Sequence, residues 1–482
     1  MMSSRLDLFQ FFAKNGVDGA SPCLTETLLE HIKIFFLIYY VEVIYIMSAN
    51  SPMYSGIGNG RQNFRIRPSN SPPDNIFAYE GNPNLSFQLP SSNLLLDPTS
   101  LRLTGKIRFT DSTGLDATAI SVDQYLGVNS CFDSVSWSSL ISRSVIEKIN
   151  NYQRLINSVL PAIKSADNFQ SDLQAEALAT DELAYQRATM ITDMLQEDGT
   201  AFSTPIYTGL SMASGNRLPL IKLGGLILTL DLASNEAVFL VTDGTLPKYQ
   251  LVDLSLTGSY YSPTPEERAG IMAMGEGEME INTFTSLFSV LQSSQHTSQF
   301  NLGLREVIAC YMSFVPSKFI NNYTFNQFQA LRPTDSSGAT KQIVKLNFLR
   351  NGSQMPFLYD LDVLDASNEA ELLRYYMMSL KRLKELTKTT ISGVSSDPRW
   401  SIGSSNFLLT GVNQANSLNK LNYVLGIPYD IITGLSGANF SNQPLTINID
   451  TQMNDANPNA IYFYVLSKTL VEYGGGGIRV MS

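Results

Sequence analysis

A chain of 482 residues with 44% hydrophobic and 10% aromatic content carries enough apolar mass for packed cores, and its length points to two domains of roughly 200 residues. A net charge of −10 without any Lys/Arg-rich run argues against strong direct nucleic-acid binding. Three cysteines with no CxxC spacing and two histidines argue against a disulfide framework, a zinc site or a His-based metal centre.

Residues 1–46 differ from the rest. The run from Ile34 to Met47, IFFLIYYVEVIYIM, is apolar apart from Glu42, yet it falls short of the ~20 residues that a membrane-spanning helix needs. It also lacks the basic start and small-residue cleavage site of a signal peptide. Three readings compete: an interfacial anchor, a segment packed on the main body, and translated upstream sequence ahead of a start at Met47. The last is preferred, because MSANSPMYSGIGNG reads as the beginning of an arm. That arm, residues 47–79, is rich in Gly, Pro, Ser and Asn and carries Arg61, Arg65 and Arg67. It is expected to be flexible, either threading along a neighbouring subunit or forming a disordered terminus.

The stretch from Asn84 to Asp111 then reads as two strands joined by a Pro/Ser turn. Leu101, Leu103, Gly105, Ile107 and Phe109 alternate with Arg102, Thr104, Lys106 and Arg108, the pattern of an antiparallel sheet with one packed and one wet face. A second strand pair is expected at Ala119–Tyr125 and Phe132–Ser136. Helices follow at about 144–160 and 171–197. Ser144 and Glu147 form a capping box for the first, with Val145, Ile149, Tyr152 and Ile156 at helical spacing; Ala184, Ala188, Ile191 and Leu195 mark the second, ended by Gly199. Strands resume at Leu226–Leu232 and Tyr249–Tyr261.

Residues 263–279 break the pattern and serve as the predicted linker between a first unit, 80–262, and a second, 280–482. Beyond it, strands are predicted near Glu280–Ser286, Gln299–Leu304, Glu306–Phe314 and Gln342–Leu349. A helix is predicted over about 369–388, capped by Asn368 with Glu371 and striped by Leu372, Tyr376, Leu380 and Leu383. Strands return near Asn406–Thr410, Pro444–Asp450 and Ile461–Tyr473. Each unit is therefore strands, helix, strands. Two-sheet sandwiches with long excursions satisfy so many non-local strand faces, so the fold class is mainly β, two consecutive jelly-roll sandwiches with helical insertions in each.

Four segments carry a resemblance: FQLPSSNLLLDPTSLRLTGKIRF (Phe87–Phe109), GVNSCFDSVSWSSLISRSVIEKINNYQRL (Gly127–Leu155), LPLIKLGGLILTLDLA (Leu218–Ala233) with YQLVDLSLTG (Tyr249–Gly258), and NPNAIYFYVLS (Asn457–Ser467). In these the chain resembles the double jelly-roll major capsid proteins of eukaryotic double-stranded DNA viruses, nearest the polinton-like virus, adintovirus and virophage group. The resemblance implies a homotrimer with pseudo-hexameric outline that tiles an icosahedral shell. It further implies contacts with neighbouring trimers and with penton and minor capsid proteins, a place in the virion after assembly inside the host cell, and no enzymatic activity. The alternative is a carbohydrate-binding or spike/fibre sandwich of a virion; a β-sandwich hydrolase comes third.

Candidate chemistry is sparse. Asp360, Asp362 and Asp365 lie close together beside Tyr359 but lack the glycine and distal glutamate of a calcium loop, so a solvated turn is preferred. Glu276, Glu278 and Glu280 could serve as paired carboxylates, but acids clustered in a linker are read as solvated. Gly56–Gly60 has neither the preceding strand nor the lysine of a phosphate loop, and Gly474–Gly477 reads as a flexible strap. Trp137 and Trp400 are too few for a sugar platform. A His-dependent triad would rest on His296 alone. Lys381, Arg382, Lys384 and Lys388 are expected to complement a helix dipole in water, and Cys131 and Cys310 to be small core residues. No catalytic residue, cofactor or metal site is predicted, and no transmembrane span.

Overall fold

The computed structural model describes residues 60–110, 120–122, 126–159, 198–212, 217–241, 245–273, 275–324, 328, 343–357, 361–362, 371, 374–376, 378–383, 424–434, 437–451, 458–474 and 477–481, all within the unit Tyr54–Ser482. The first half holds β1 (Arg61–Ile66), β2 (Ile76–Phe77), β3 (Asn84–Leu89), β4 (Leu95–Phe109), β5 (Ile120–Val122), β6 (Phe132–Ser139), β7 (Val145–Asn150), β8 (Thr200–Pro205), β9 (Leu218–Pro219), β10 (Leu226–Leu232), β11 (Phe239–Val241) and β12 (Tyr249–Tyr261). The second holds β13 (Gly277–Leu291), β14 (Gln295–Phe300), β15 (Glu306–Pro316), β16 (Ile343–Arg350), β17 (Ser353–Gln354), β18 (Leu361–Asp362), β19 (Val424–Pro428), β20 (Leu445–Thr451), β21 (Asn459–Gly474) and β22 (Gly477–Met481).

The strand order is the same in both halves. In the first, one sheet runs β1-β12-β4-β8 and the facing one β3-β10-β6-β7; in the second, the sheets run β13-β21-β15-β19 and β14-β20-β16-β17. The short β17 and β18 both pair with β16 and act as segments of one strand. When the strands that span each sandwich are numbered from one to eight, both halves read 1-8-3-6 opposite 2-7-4-5. That interleaving of first with last strand and second with seventh is the jelly roll. Both rolls place their longest excursion between the fifth and sixth strands, at residues 151–199 and 363–423. Helix α1 (Tyr152–Ser158) opens the first excursion, and the described residues between 371 and 383 are helical in the second.

Several expectations change. Strand β1 falls inside the stretch expected to be a flexible arm: Arg61–Ile66 runs antiparallel along β12, from Arg61↔Tyr261 to Ile66↔Leu256. It is an edge strand, with Phe64 stacked on Tyr260 at 4.2 Å as its hold on the core. Strand β5 pairs with β11, not with β6. Residues 145–150 are a strand, not the start of a helix, and only Tyr152 onward is helical. Strand β7 pairs with β6 from Ser134↔Asn150 to Ser138↔Val145. Asn151, at φ 52°, makes the break from strand to helix. The linker contains helix α2 (Pro265–Ala273), closed by a reciprocal box in which Thr264 and Glu267 each accept the other's backbone N–H, at 3.2 and 2.8 Å. Strand β13 then begins at Gly277, inside the predicted linker, and the strand expected at Gln299–Leu304 lies earlier, at Gln295–Phe300. The predicted elements at 171–197 and 406–410, the residues Asn368 and Leu372, and residues 1–59 lie outside the described residues.

The two rolls share a sheet. Strands β7 and β13 pair in parallel at Thr285↔Lys148, which joins β3-β10-β6-β7 to β13-β21-β15-β19 in one nine-stranded sheet. One core fills the first sandwich and continues beneath the second roll's helix through Tyr376, Leu380 and Leu383. A separate core, with Phe314, Ile447, Ile449 and Phe463, lies between the two sheets of the second. Strands β15 and β21 are thus covered on both faces, which is why their burial runs almost unbroken where β4 and β20 alternate.

Candidate functional site

Among the described residues, a cluster of buried polar groups gathers along the line where β7 meets β13, and Glu147 is its centre. Its side chain leaves β7 into the interior and is 3% exposed. One carboxylate oxygen, Oε1, accepts the backbone N–H of Phe284 on β13 at 2.7 Å and of Gly209 at 2.9 Å. The other, Oε2, accepts the N–H of Leu210 at 3.2 Å. Gly209 and Leu210 open the short helical turn Gly209–Met212 that follows β8. One carboxylate therefore ties two elements of the first roll to the leading strand of the second. Burial pushes this carboxyl up to about 7, against the pull of the donors from Phe284, Gly209, Leu210 and the Thr208 hydroxyl.

Around Glu147 the polar groups are satisfied in a chain. Trp137 Nε1 donates to Thr208 Oγ1 at 3.0 Å, the Ser211 N–H donates to the same oxygen at 3.1 Å, and Ser211 Oγ donates to the carbonyl of Ile206. The Tyr207 N–H donates to Tyr152 Oη at 2.7 Å, which ties α1 to the chain just after β8. Gly209 has no room for a side chain, since a Cβ there would lie 2.8 Å from the Asn282 carbonyl carbon and 2.9 Å from Thr283 Cα on β13.

Further bonds cross the same line. The Asn150 N–H donates to Ser286 Oγ at 2.8 Å, and Tyr464 Oη donates to the carbonyl of Asn151 at 2.8 Å. The buried Arg154 guanidinium lies 4.5 Å from the centre of the Tyr462 ring. Ser144 Oγ donates to the carbonyl of Ile478 on β22 at 3.1 Å. None of these arrangements joins a nucleophile to a base. What they do is fix the angle between two sandwiches.

The residues singled out in the sequence are scattered. Glu276, Glu278 and Glu280 are exposed, with Glu280 held by Lys468 at 2.9 Å. Trp137 is a core residue, and Trp400 lies outside the described residues. Asp362 sits on β18 opposite Lys345, while Tyr359, Asp360 and Asp365 lie outside the described residues, as do Gly56–Asn59, His31 and Cys23. His296 Nε2 contacts the hydroxyls of Ser298 at 2.8 Å and Ser289 at 3.1 Å, and burial lowers its pKa. Arg382 departs from the solvated reading: it pairs with buried Asp430 at 2.5 Å. Lys384 and Lys388 lie outside the described residues. Instead of a loose strap, Gly474 and Gly477 face each other where β21 turns into β22. Cys131 and Cys310 are buried thiols, as expected, and burial pushes Cys310 up to about 12. Among the described residues no group of three or more His, Cys, Asp or Glu side chains could hold a metal, and no helix is long and apolar enough to cross a membrane.

The role of Glu147 was missed because Ser144 and Glu147 have the spacing of a capping box. Its true partners lie 62, 63 and 137 residues away. The one available signal was a glutamate inside an otherwise β-compatible VIEKIN.

Comparison with known proteins finds no matching family model and no matching curated protein. Solved structures do match. The PBCV-1 protein VP54, fitted into a reconstruction of the virophage Sputnik, aligns with a TM-score of 0.53 at 12% identity, covering 89% of this chain and 98% of its own. A quasi-atomic model of the PBCV-1 capsid aligns at 0.52 with 12% identity and coverage of 89% and 98%. The faustovirus major capsid protein aligns at 0.51 with 10% identity and coverage of 88% and 92%. At such identities the likeness is one of fold, and it spans both rolls: the chain has the double jelly-roll fold of these capsid proteins.

Proposed function

We propose that this chain is the major capsid protein of a virus, a structural and non-enzymatic subunit that forms trimers of pseudo-hexameric outline and tiles an icosahedral shell. The observation that carries this reading is the repeated 1-8-3-6 and 2-7-4-5 strand order in two rolls joined through one sheet, in a chain that shares its fold with viral capsid proteins over nearly nine-tenths of its length. Three copies of a two-roll body offer six similar rolls, so a three-fold assembly acquires a near six-fold outline. Rigidity between the rolls matters for that outline, and the Glu147 junction supplies it. A charged content of only 16% suits surfaces covered by neighbouring copies. In this reading the partners are further copies of the chain, then penton and minor capsid proteins, and the protein resides in the virion.

The purified full chain, run through size exclusion with light scattering, tests the proposal. Three chains of 53.2 kDa give a species near 160 kDa, or larger particles built from it. A monomer that persists at high concentration would refute it.

A further inference from the structure

Although the chain is acidic overall, one sheet face is basic. On β1-β12-β4-β8 the side chains that point away from the core include Arg61, Arg65, Arg102, Lys106 and Arg108. The acids beside them are Asp97, Asp253 and Asp198, the last 3.8 Å from Lys106. Three of the arginines are anchored by hydroxyls: Nε donates from Arg61 to Ser259 at 2.9 Å, from Arg65 to Ser255 at 2.8 Å and from Arg102 to Ser203 at 2.9 Å. Arg65 and Arg102 flank Thr257 on neighbouring strands. The terminal nitrogens of Arg61 and Arg65 have no hydrogen-bond partner among the described residues. A guanidinium fixed through Nε with its other nitrogens open is preorganised for a carboxylate.

The second roll carries a matching set of carboxylates. Glu278 on β13 lies directly opposite Glu472 on β21. Like charges in that position repel; Arg479 on β22 flanks Glu472 on its other side, but no ion pair within 4.0 Å joins either glutamate to a cation among the described residues. Lys468 is already engaged by Glu280 at 2.9 Å and Glu306 at 3.4 Å. The exposed Glu276 adds to the strip.

We infer that the arginine–serine face of the first roll docks on the glutamate strip of the second roll in another copy of the chain. The contact is heterologous, first roll to second roll, and such a contact closes into a ring when its rotation allows. It deepens the capsid reading and rests on it, because it names the surfaces through which the copies meet. Each side supplies what the other lacks: open guanidinium edges on one, and on the other a strip in which Glu276, Glu278, Glu280, Glu306 and Glu472 outnumber Lys468 and Arg479.

Charge exchange in the full chain tests this. The face variant is Arg61→Glu with Arg65→Glu; the strip variant is Glu278→Lys with Glu472→Lys; the third protein carries all four changes. All these positions are at least partly exposed, and circular dichroism and melting temperature check that each variant folds. Each two-site variant is expected to lose at least about tenfold in association constant by light scattering, and the four-site variant to recover to within about threefold of the parent. Several results would overturn the inference: two-site variants that associate like the parent, or a four-site variant that fails to recover. It would also fall if the face variant lost only retention of a DNA homopolymer probe with its oligomer intact, since the face would then meet a polyphosphate. These leave the capsid reading standing, whereas a parent that is monomeric throughout removes the capsid reading itself.

Discussion

Replacing Glu147 by Gln keeps the volume of the side chain and removes its titrating proton, and the consequence can be worked out from the geometry. Burial holds the folded carboxyl at about 7, above its ordinary value of 4.5. The folded state therefore binds the proton more tightly than the unfolded chain. The stability this contributes is complete below pH 4.5 and is lost as the pH rises through 7. The gap between the two values corresponds to about 3 kcal/mol. Glutamine retains an acceptor for the N–H groups of Phe284 and Gly209 but turns an amide donor toward the N–H of Leu210. That mismatch costs about 1–3 kcal/mol at any pH. Glu147→Gln should accordingly be less stable than the parent at pH 5, and the deficit should shrink by about 3 kcal/mol by pH 8. Urea unfolding at pH 5, 6, 7 and 8, followed by tryptophan fluorescence, to which buried Trp137 contributes, reads the difference, and the other titrating groups cancel between the two proteins. A parent–variant difference constant to within about 0.5 kcal/mol from pH 5 to pH 8 would refute the reasoning.

Gly209→Ala forces a Cβ against the β13 backbone at Asn282 and Thr283, which cannot give way as a side chain would; a loss of about 1–3 kcal/mol is expected, and an unchanged melting temperature would contradict it. A chain starting at Arg67 lacks β1 and the Phe64–Tyr260 stack, so it should melt several degrees below one starting at Gly60, with the exposed β12 edge raising aggregation in light scattering. In a Cys23→Ser background, Cys131 and Cys310 should resist a thiol reagent in native buffer and react in denaturant, because both are buried and protonated; rapid labelling of the native protein would count against the packing described.

What could be read from the sequence depended on how many faces a strand hides. Strand β4 was plain because Leu101, Leu103 and Ile107 are buried and Arg102, Thr104 and Arg108 are not. Strand β10, in the facing sheet, was found for the same reason, with Leu228, Leu230 and Leu232 buried and Thr229 and Asp231 not. Strand β21 announced itself only as an apolar run, since both of its faces are covered. Strand β7 was misread because Val145, Ile149, Tyr152 and Ile156 satisfy a helical period, and a buried glutamate in a strand makes sense only once Phe284, Gly209 and Leu210 are brought to it by the fold. Strand β1 was hidden by its Gly/Pro/Asn-rich surroundings and by an edge position that leaves Phe64 and Ile66 only half-buried. The resemblance indicated two jelly rolls; that they share one sheet, through the pairing of Thr285 with Lys148, was not legible in any single segment.

Electron microscopy of the assembled full chain is the most direct check on two like-ordered rolls, held at a fixed angle, serving to build a shell from copies of themselves. Class averages should display three-fold particles with six lobes, two per chain, alone or in a closed lattice. Isolated single chains, or pairs of lobes swinging independently about the β7–β13 line, would contradict it.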